Sequence, residues 1–479
     1  MLLDLFKNPE LQRNAWIELR PNRVLALFGI LAFAFIFSAS VFPNEYLQLH
    51  EVMINLALPI FYLLVAVWGS KNAADAVADE INQKTWDRQR MTGQRPWTLT
   101  FGKIFGPTLL QWLGGVSAMG IYFCAALFTE NVQETMAQGF VHICIGLLAN
   151  VLALLFSLLS ITGNAQSSFS HSKINTNFFF ILTLIIIGYF GAYVFSMFRI
   201  FQWNTLSWYG MKWGYLLTSC SLLTFIVWSI IGVHQNLRTE LQYKNNMGMW
   251  LAFLGFIVLF FLGFVVNEFR YEYADGESYQ RVFRAPSYNQ ITSSYIRLIS
   301  VSLVFFCITQ FLLVFERKSL TDYRHFLQLL RNRKLKALWV EAPLWLSSAL
   351  FMSVLVGIML VMKGMGFDEE TKRIDAPLSY FGANPYNLAA FLFLLLRDIY
   401  MTRFLLYKST FKNTLMVFVV YYALLYWVIP FSFEINHRSE LFALFWPTQE
   451  HAMTSAQSLG IQALAAWLLH RSVFGPKEK

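Results

Sequence analysis

The stretch 80-EINQKTWDRQRMTGQRPWTLTFGK-103 decides how this chain is read, because its polar and basic residues stand between two long apolar runs. Residues 52–70 precede it and 105–128 follow it, and both are apolar almost throughout. Roughly 20 such residues suffice to cross the hydrocarbon layer as a helix. The stretch therefore reads as an elaborate charged connection between two membrane helices.

The whole chain agrees with that setting. Its 479 residues are 56% hydrophobic and only 14% charged, with a mean hydropathy of +0.47, which excludes an ordinary soluble globular composition. Twelve apolar runs lie near 24–42, 52–70, 105–128, 137–162, 177–198, 213–233, 248–267, 295–315, 342–362, 387–407, 413–432 and 455–474. They are continuous and helix-length rather than alternating, so the expected fold is an all-α polytopic membrane protein and not a barrel. Ser38-Ala39-Ser40 imitates a signal-peptide cleavage site, but the first run is longer than a signal core and reads as a retained anchor. Cys124, Cys144, Cys220 and Cys307 fall inside apolar runs and read as small hydrophobes.

Charge gives the orientation. The N-terminal segment, 71–103, 163–176, 236–247, 316–341, 397–412 and the end from Arg471 hold 27 of the 37 Lys and Arg residues. Basic residues are retained on the cytoplasmic side, so both termini are expected in the cytoplasm and the chain in the cell's inner (plasma) membrane. The net charge of +9 then reflects topology and contact with the lipid bilayer; no nucleic-acid partner is implied.

Two long cytoplasmic connections, 71–104 and 316–341, each follow a helix pair and precede four more helices. This order divides the chain into an N-terminal interfacial segment (1–23), a first six-helix half (24–235) and a second (236–479), a repeat common among transporters. Within the first segment, 8-NPELQRNAWIELRP-21 is expected to form a short interfacial helix capped by Asn8, with Pro9 in its first position. The tryptophans of 201-FQWNTLSWYGMKW-213 suggest an outer interfacial belt or a short re-entrant turn. The tenth run is problematic, since it carries Arg397, Asp398 and Arg403, and an arginine at mid-bilayer costs about 2.5–3.5 kcal/mol. A helix starting near Leu378 would leave Arg397 at the interface, and this is the expected arrangement; the alternative buries Arg397 and Asp398 inside the protein.

From Asn72 to about Met91 a helix is expected, with Ala73, Val77 and Ile81 on one face, Glu80 four residues before Lys84, and Gly93 and Pro96 ending it. The same stretch resembles the motif after the second helix in permeases of the type-2 ATP-binding-cassette exporter family, written E-R-x-x-G-T-L-E, then T-P-x-S, then G-K. Glu80 stands five before Thr85, Trp86 and Asp87 take the Leu-Glu positions, Thr92 follows seven after Thr85, and Gly102-Lys103 close the pattern. Ile81, Lys84, Gly93 and Arg95 depart from it, replacing arginine, glycine, proline and serine.

The resemblance implies a coupling helix that docks on a separate ATP-binding-cassette ATPase subunit. Glu80, Asp87, Arg88 and Arg90 would then fix a polar interface. It also implies that the chain binds no cofactor itself, ATP-Mg being handled by the partner, and leaves open a second permease or a periplasmic component as further partners.

Other chemistry finds little footing. Gly102-Lys103 lacks the upstream glycine and the following Ser/Thr of a phosphate-binding loop. The eight histidines are scattered without metal-ligand spacing, and no G-x-S-x-G nucleophile occurs. An enzyme is therefore not expected; a polytopic one would have only Asp368-Glu369-Glu370 as an acidic cluster. Away from the tenth run, helix interiors offer Asn55, Gln111, Asn150 and Gln310 in place of carboxylates, which disfavours the main alternative, an ion-coupled carrier of the major-facilitator kind. Loops 268–294 and 363–386 read as solvated outer connections.

Overall fold

The computed structural model describes residues 8–43, 48–165, 180–181, 183–185, 188, 206–212, 214–243, 247–266, 269–274, 278–283, 290–315, 320–334, 337–338, 341–364, 385–408, 414–430, 432 and 452–474. The expected fifth span (177–198) thus lies largely outside the described residues, as do most of the 363–386 connection and Asp368-Glu369-Glu370. Six described helices combine the length and apolar character needed to cross a membrane: Pro21–Val41, Leu49–Asn82, Leu109–Ala126, Val132–Leu159, Tyr215–Glu240 and Leu344–Met362. Gly248–Leu262 and Arg297–Leu313 are apolar but shorter. The chain is a helical membrane protein.

It divides into two compact units, Met1–Thr205 with Lys212–Asn245, and Leu206–Met211 with Asn246–Lys479. The first unit begins with α1 (Pro9–Glu18), whose N-terminus is capped as expected: Asn8 Oδ1 accepts from the amides of Glu10 (3.0 Å) and Leu11 (3.5 Å). Next come α2 (Pro21–Val41), α3 (Leu49–Asn82), the short α4 (Trp86–Met91), α5 (Pro96–Phe105), α6 (Leu109–Ala126), α7 (Val132–Ala165) and α8 (Tyr215–Glu240); strands β1 (Leu206–Trp208) and β2 (Met211–Lys212) fall between α7 and α8 in sequence, and β1 belongs to the second unit. The apolar window of α7 is 78% buried against 22% for α2, so α7 is the central post of this unit and α2 a peripheral one.

Small residues and polar bridges set how closely α3 and α7 approach. A Cβ on Gly146 would lie 2.8 Å from Phe61 Cζ, so glycine is needed there for the contact. Ser70 Oγ donates to Asn150 Oδ1 (3.2 Å) and Ser157 Oγ to the Ala74 carbonyl (2.6 Å). Asn150 thus bonds between helices, whereas Asn55 is exposed and Gln111 is buried with neither side-chain polar atom bonded. Within α3, Pro59 has no N–H to offer and its ring crowds the preceding turn. The helix runs on as a π segment, Tyr62–Gly69, before regular winding resumes at Ser70.

The second unit contains α9 (Gly248–Leu262), β3 (Phe264–Val266), β4 (Phe269–Ala274), β5 (Ser278–Phe283), α10 (Gln290–Phe315), α11 (Leu320–Arg331), α12 (Leu344–Gly364), α13 (Pro385–Lys408), α14 (Thr414–Ala423, continued by a π turn to Val428) and α15 (Ala452–Phe474). The described residues are mostly helical, and the strands are short additions to that helical fold. The seventh span stops at Leu262, and β3 pairs antiparallel with β1, Leu206 opposite Val266 and Trp208 opposite Phe264. Tyr209 and Gly210, both at positive φ, make the turn from β1 to β2. The loop read as a solvated connection after 268 instead contains a hairpin, with Phe269 opposite Phe283 and Ala274 opposite Ser278.

A second correction concerns the tenth span. The helix start expected near Leu378 lies outside the described residues, and within α13 (Pro385–Lys408) Arg397 is buried in the protein interior, the arrangement given above as the alternative. Its Nε and Nη2 donate to Asp398 Oδ1 (3.0 and 2.8 Å), Nη1 to Gln462 Oε1 on α15 (2.8 Å) and Nη2 to the Tyr426 hydroxyl (2.9 Å). Asp398 also accepts from Tyr421 (3.1 Å), Gln310 Nε2 (2.7 Å) and Tyr426. With each charge paired and its remaining valences filled, burial becomes tolerable, and no displacement toward water is required. Truncating Arg397 alone should cost about 3–5 kcal/mol by stranding a buried carboxylate, whereas Arg397→Met with Asp398→Leu should recover most of it; thermal unfolding of the purified chain in detergent checks the difference.

Candidate functional site

The helix expected from Asn72 to Met91 is interrupted. Its first part completes α3, burying Ala73 and Val77 against α7 and α8, with Ile81 packed beside them. It ends in a Schellman motif: the Thr85 amide bonds the Glu80 carbonyl (2.8 Å) and the Lys84 amide the Ile81 carbonyl (3.0 Å). This closure needs a left-handed residue, and Lys84 holds φ +59°. The resembled motif has glycine at that position, the residue that adopts this conformation freely. Gly93, where the motif has proline, sits at φ +63°, which a proline ring forbids; the path differs there.

Behind this segment lies a charged core. Glu10, on α1, is its hub and is almost wholly buried. Its carboxylate meets Lys103 Nζ (2.8 Å), Arg13 Nη2 (2.8 Å) and Gln89 Nε2 (2.7 Å). Glu80 binds the same two cations, Lys103 at 2.5 Å and Arg13 at 2.5 Å. Asn8 Nδ2 adds a bond to the Thr98 carbonyl of α5 (2.7 Å). Burial opposes the charge on Arg13, yet the carboxylates of Glu80 and Glu10 outweigh it and hold the guanidinium above its usual pKa.

Gly102 makes this arrangement possible. A Cβ there would lie 2.6 Å from both Cβ and Cγ of Glu10, so any side chain would expel the hub carboxylate. Lys103 is 1% exposed and its ammonium stands 5.8 Å from the centre of the Trp86 ring. On the far side of α5, Trp97 stacks on His234 of α8 at 3.8 Å and 12°. The arrangement ties α1, α3, α4, α5 and α8 together.

The nine residues expected to couple therefore fall into two groups. Glu80, Trp86, Gly102 and Lys103 face inward and brace the segment; the expected Glu80–Lys84 pairing is replaced by Glu80 with Arg13 and Lys103. Thr85, Asp87, Arg88 and Thr92 are exposed, with Arg90 half-buried and 3.7 Å from Asp87. Lys84 and Met91 share the exposed surface. Sequence reasoning missed Glu10, Arg13 and Gln89; the Asn8-Pro9 start of α1 was the available signal that this helix is held in place.

No family model, curated protein or solved structure matches the chain. Among the described residues no cluster of three or more His, Cys, Asp or Glu side chains could hold a metal ion. What this site offers is mechanical: a short polar helix, presented outward and fixed from behind by buried ion pairs.

Two outcomes are expected. Lys103→Met removes the buried one of the two cations that Glu10 and Glu80 share, leaving both carboxylates to the half-exposed Arg13, and should lower stability by about 2–4 kcal/mol, read as a drop in melting temperature together with faster proteolysis between residues 83 and 95. Lys84→Gly should relieve left-handed strain on the order of 1 kcal/mol and slow the same cleavage.

Proposed function

We propose that this chain is the membrane-spanning permease subunit of an ATP-driven exporter of the type-2 ATP-binding-cassette kind. It would sit in the cell's inner membrane with both termini cytoplasmic and twelve helices in two six-helix halves. A separate ATPase subunit would bind ATP-Mg and dock on the exposed face of α4. The observation that carries this reading is the pairing of an outward polar surface (Asp87, Arg88, Thr92) with a rigid inward brace (Glu10, Glu80, Lys103). A push on α4 then passes into α3 and α5 instead of being lost in a loose loop. The left-handed Lys84 at the motif's glycine position adds support; the path at Gly93 does not.

Asp87→Lys and Arg88→Glu, both exposed, should leave membrane insertion and melting temperature unchanged. ATPase activity that co-purifies with the affinity-tagged chain from its native membrane should fall at least tenfold. Undiminished co-purification in both variants would refute the coupling role.

One observation favours a second reading. Asp398 is a carboxylate buried among helices, the kind of group an ion-coupled carrier uses as a relay, although Arg397 already neutralises it. Transport by the purified chain alone in vesicles, driven by a proton gradient and indifferent to nucleotide, would establish that reading in place of the first.

A further inference from the structure

Three Lys or Arg side chains are buried among the described residues: Lys103, Arg397 and Arg403. Lys103 has two carboxylates and Arg397 has a carboxylate, an amide and a phenol. Among the described residues no acceptor bonds Nη1 or Nη2 of Arg403. The residue is 3% exposed, and both nitrogens are buried. Its neighbours are ring faces, Tyr323 of α11 at 4.5 Å and Trp345 of α12 at 5.4 Å from the guanidinium carbon. Trp345 Nε1 donates to the Tyr323 hydroxyl (2.9 Å), which fixes the two rings relative to each other. Ring faces attract a cation, but they return less than its removal from water costs, and they leave its in-plane N–H groups unused.

We propose that Arg403 is the binding point for a phosphate-class anion that completes this aromatic cage. A guanidinium fork with two free edge nitrogens matches a phosphate bidentately. The surroundings favour a lipid headgroup as the source. α11 exposes Leu327 and Leu330 beside Arg324 and Arg331, and Arg333 and Lys334 follow, all of them exposed. That combination suits the headgroup layer of an anionic membrane. The proposal is independent of the ATPase-coupled reading.

The purified full chain and Arg403→Gln are compared by native mass spectrometry in detergent containing equal phosphatidylglycerol and phosphatidylcholine. Melting is followed with each lipid and with inorganic phosphate. The wild type should retain phosphatidylglycerol at least tenfold over phosphatidylcholine and melt higher in its presence. Arg403→Gln should lose the preference and, without lipid, melt no lower than the wild type, having shed an unmatched charge. Stabilisation of the wild type, but not the variant, by inorganic phosphate with no lipid preference identifies a free anion as the source. A wild type indifferent to both, or a variant that keeps the preference, overturns the proposal. If Arg403→Gln fails to fold, Arg403→Lys takes its place: it keeps the charge without the fork, and an undiminished preference there overturns bidentate binding.

Discussion

The ammonium of Lys103 is 1% exposed, and everything around it follows from the impossibility of leaving such a charge alone in a medium of low dielectric. Two carboxylates must reach it, and they come from chain positions far apart, Glu10 and Glu80. Delivering Glu10 requires α1 to lie across α5, which in turn requires that Gly102 present no side chain. Delivering Glu80 requires α3 to continue as helix to Asn82 and then stop, which the turn at Lys84 accomplishes. The placement of α4, with Trp86 buried and Asp87 outward, is the remainder of that solution.

The second unit solves the same problem differently. Arg397 and Asp398 are adjacent in sequence and satisfy each other, yet the pair still draws in Gln310, Tyr421, Tyr426 and Gln462 from three other helices. Polar groups thus act here as register pins between helices that would otherwise slide on uniform apolar surfaces. Interhelical hydrogen bonds in membranes contribute about 0.6–2 kcal/mol each, so their value lies as much in fixing one packing as in strengthening it.

Local rules made much of this legible. Apolar run length located α2, α3, α6, α7, α8 and α12, and the Asn8-Pro9 pair marked the start of α1, because these signals act within a few residues. Glu10 with Lys103 was not legible, since nothing in either local sequence says that two charges 93 positions apart will meet. Arg397 was misplaced because a single-helix cost was applied to a side chain whose partners lie on other helices. The break at Lys84 was hidden by its identity: a lysine in the left-handed region carries no compositional mark, whereas glycine would have announced the turn. β3 was absorbed into an apolar run because Phe264–Val266 serves a strand as readily as a helix end.

The uninterrupted course of α3 has a geometric consequence. Its 34 residues span about 51 Å, well beyond the roughly 30 Å of hydrocarbon, so one rod is longer than a crossing requires. Within it, Tyr62–Gly69 winds more widely than the turns on either side, and each residue gained or lost in such a stretch rotates all later side chains by about 100°. A twist of the Ser70–Asn82 part that is taken up in this stretch would leave Ala57 and Phe61 seated against Leu110 and Ala118 of α6.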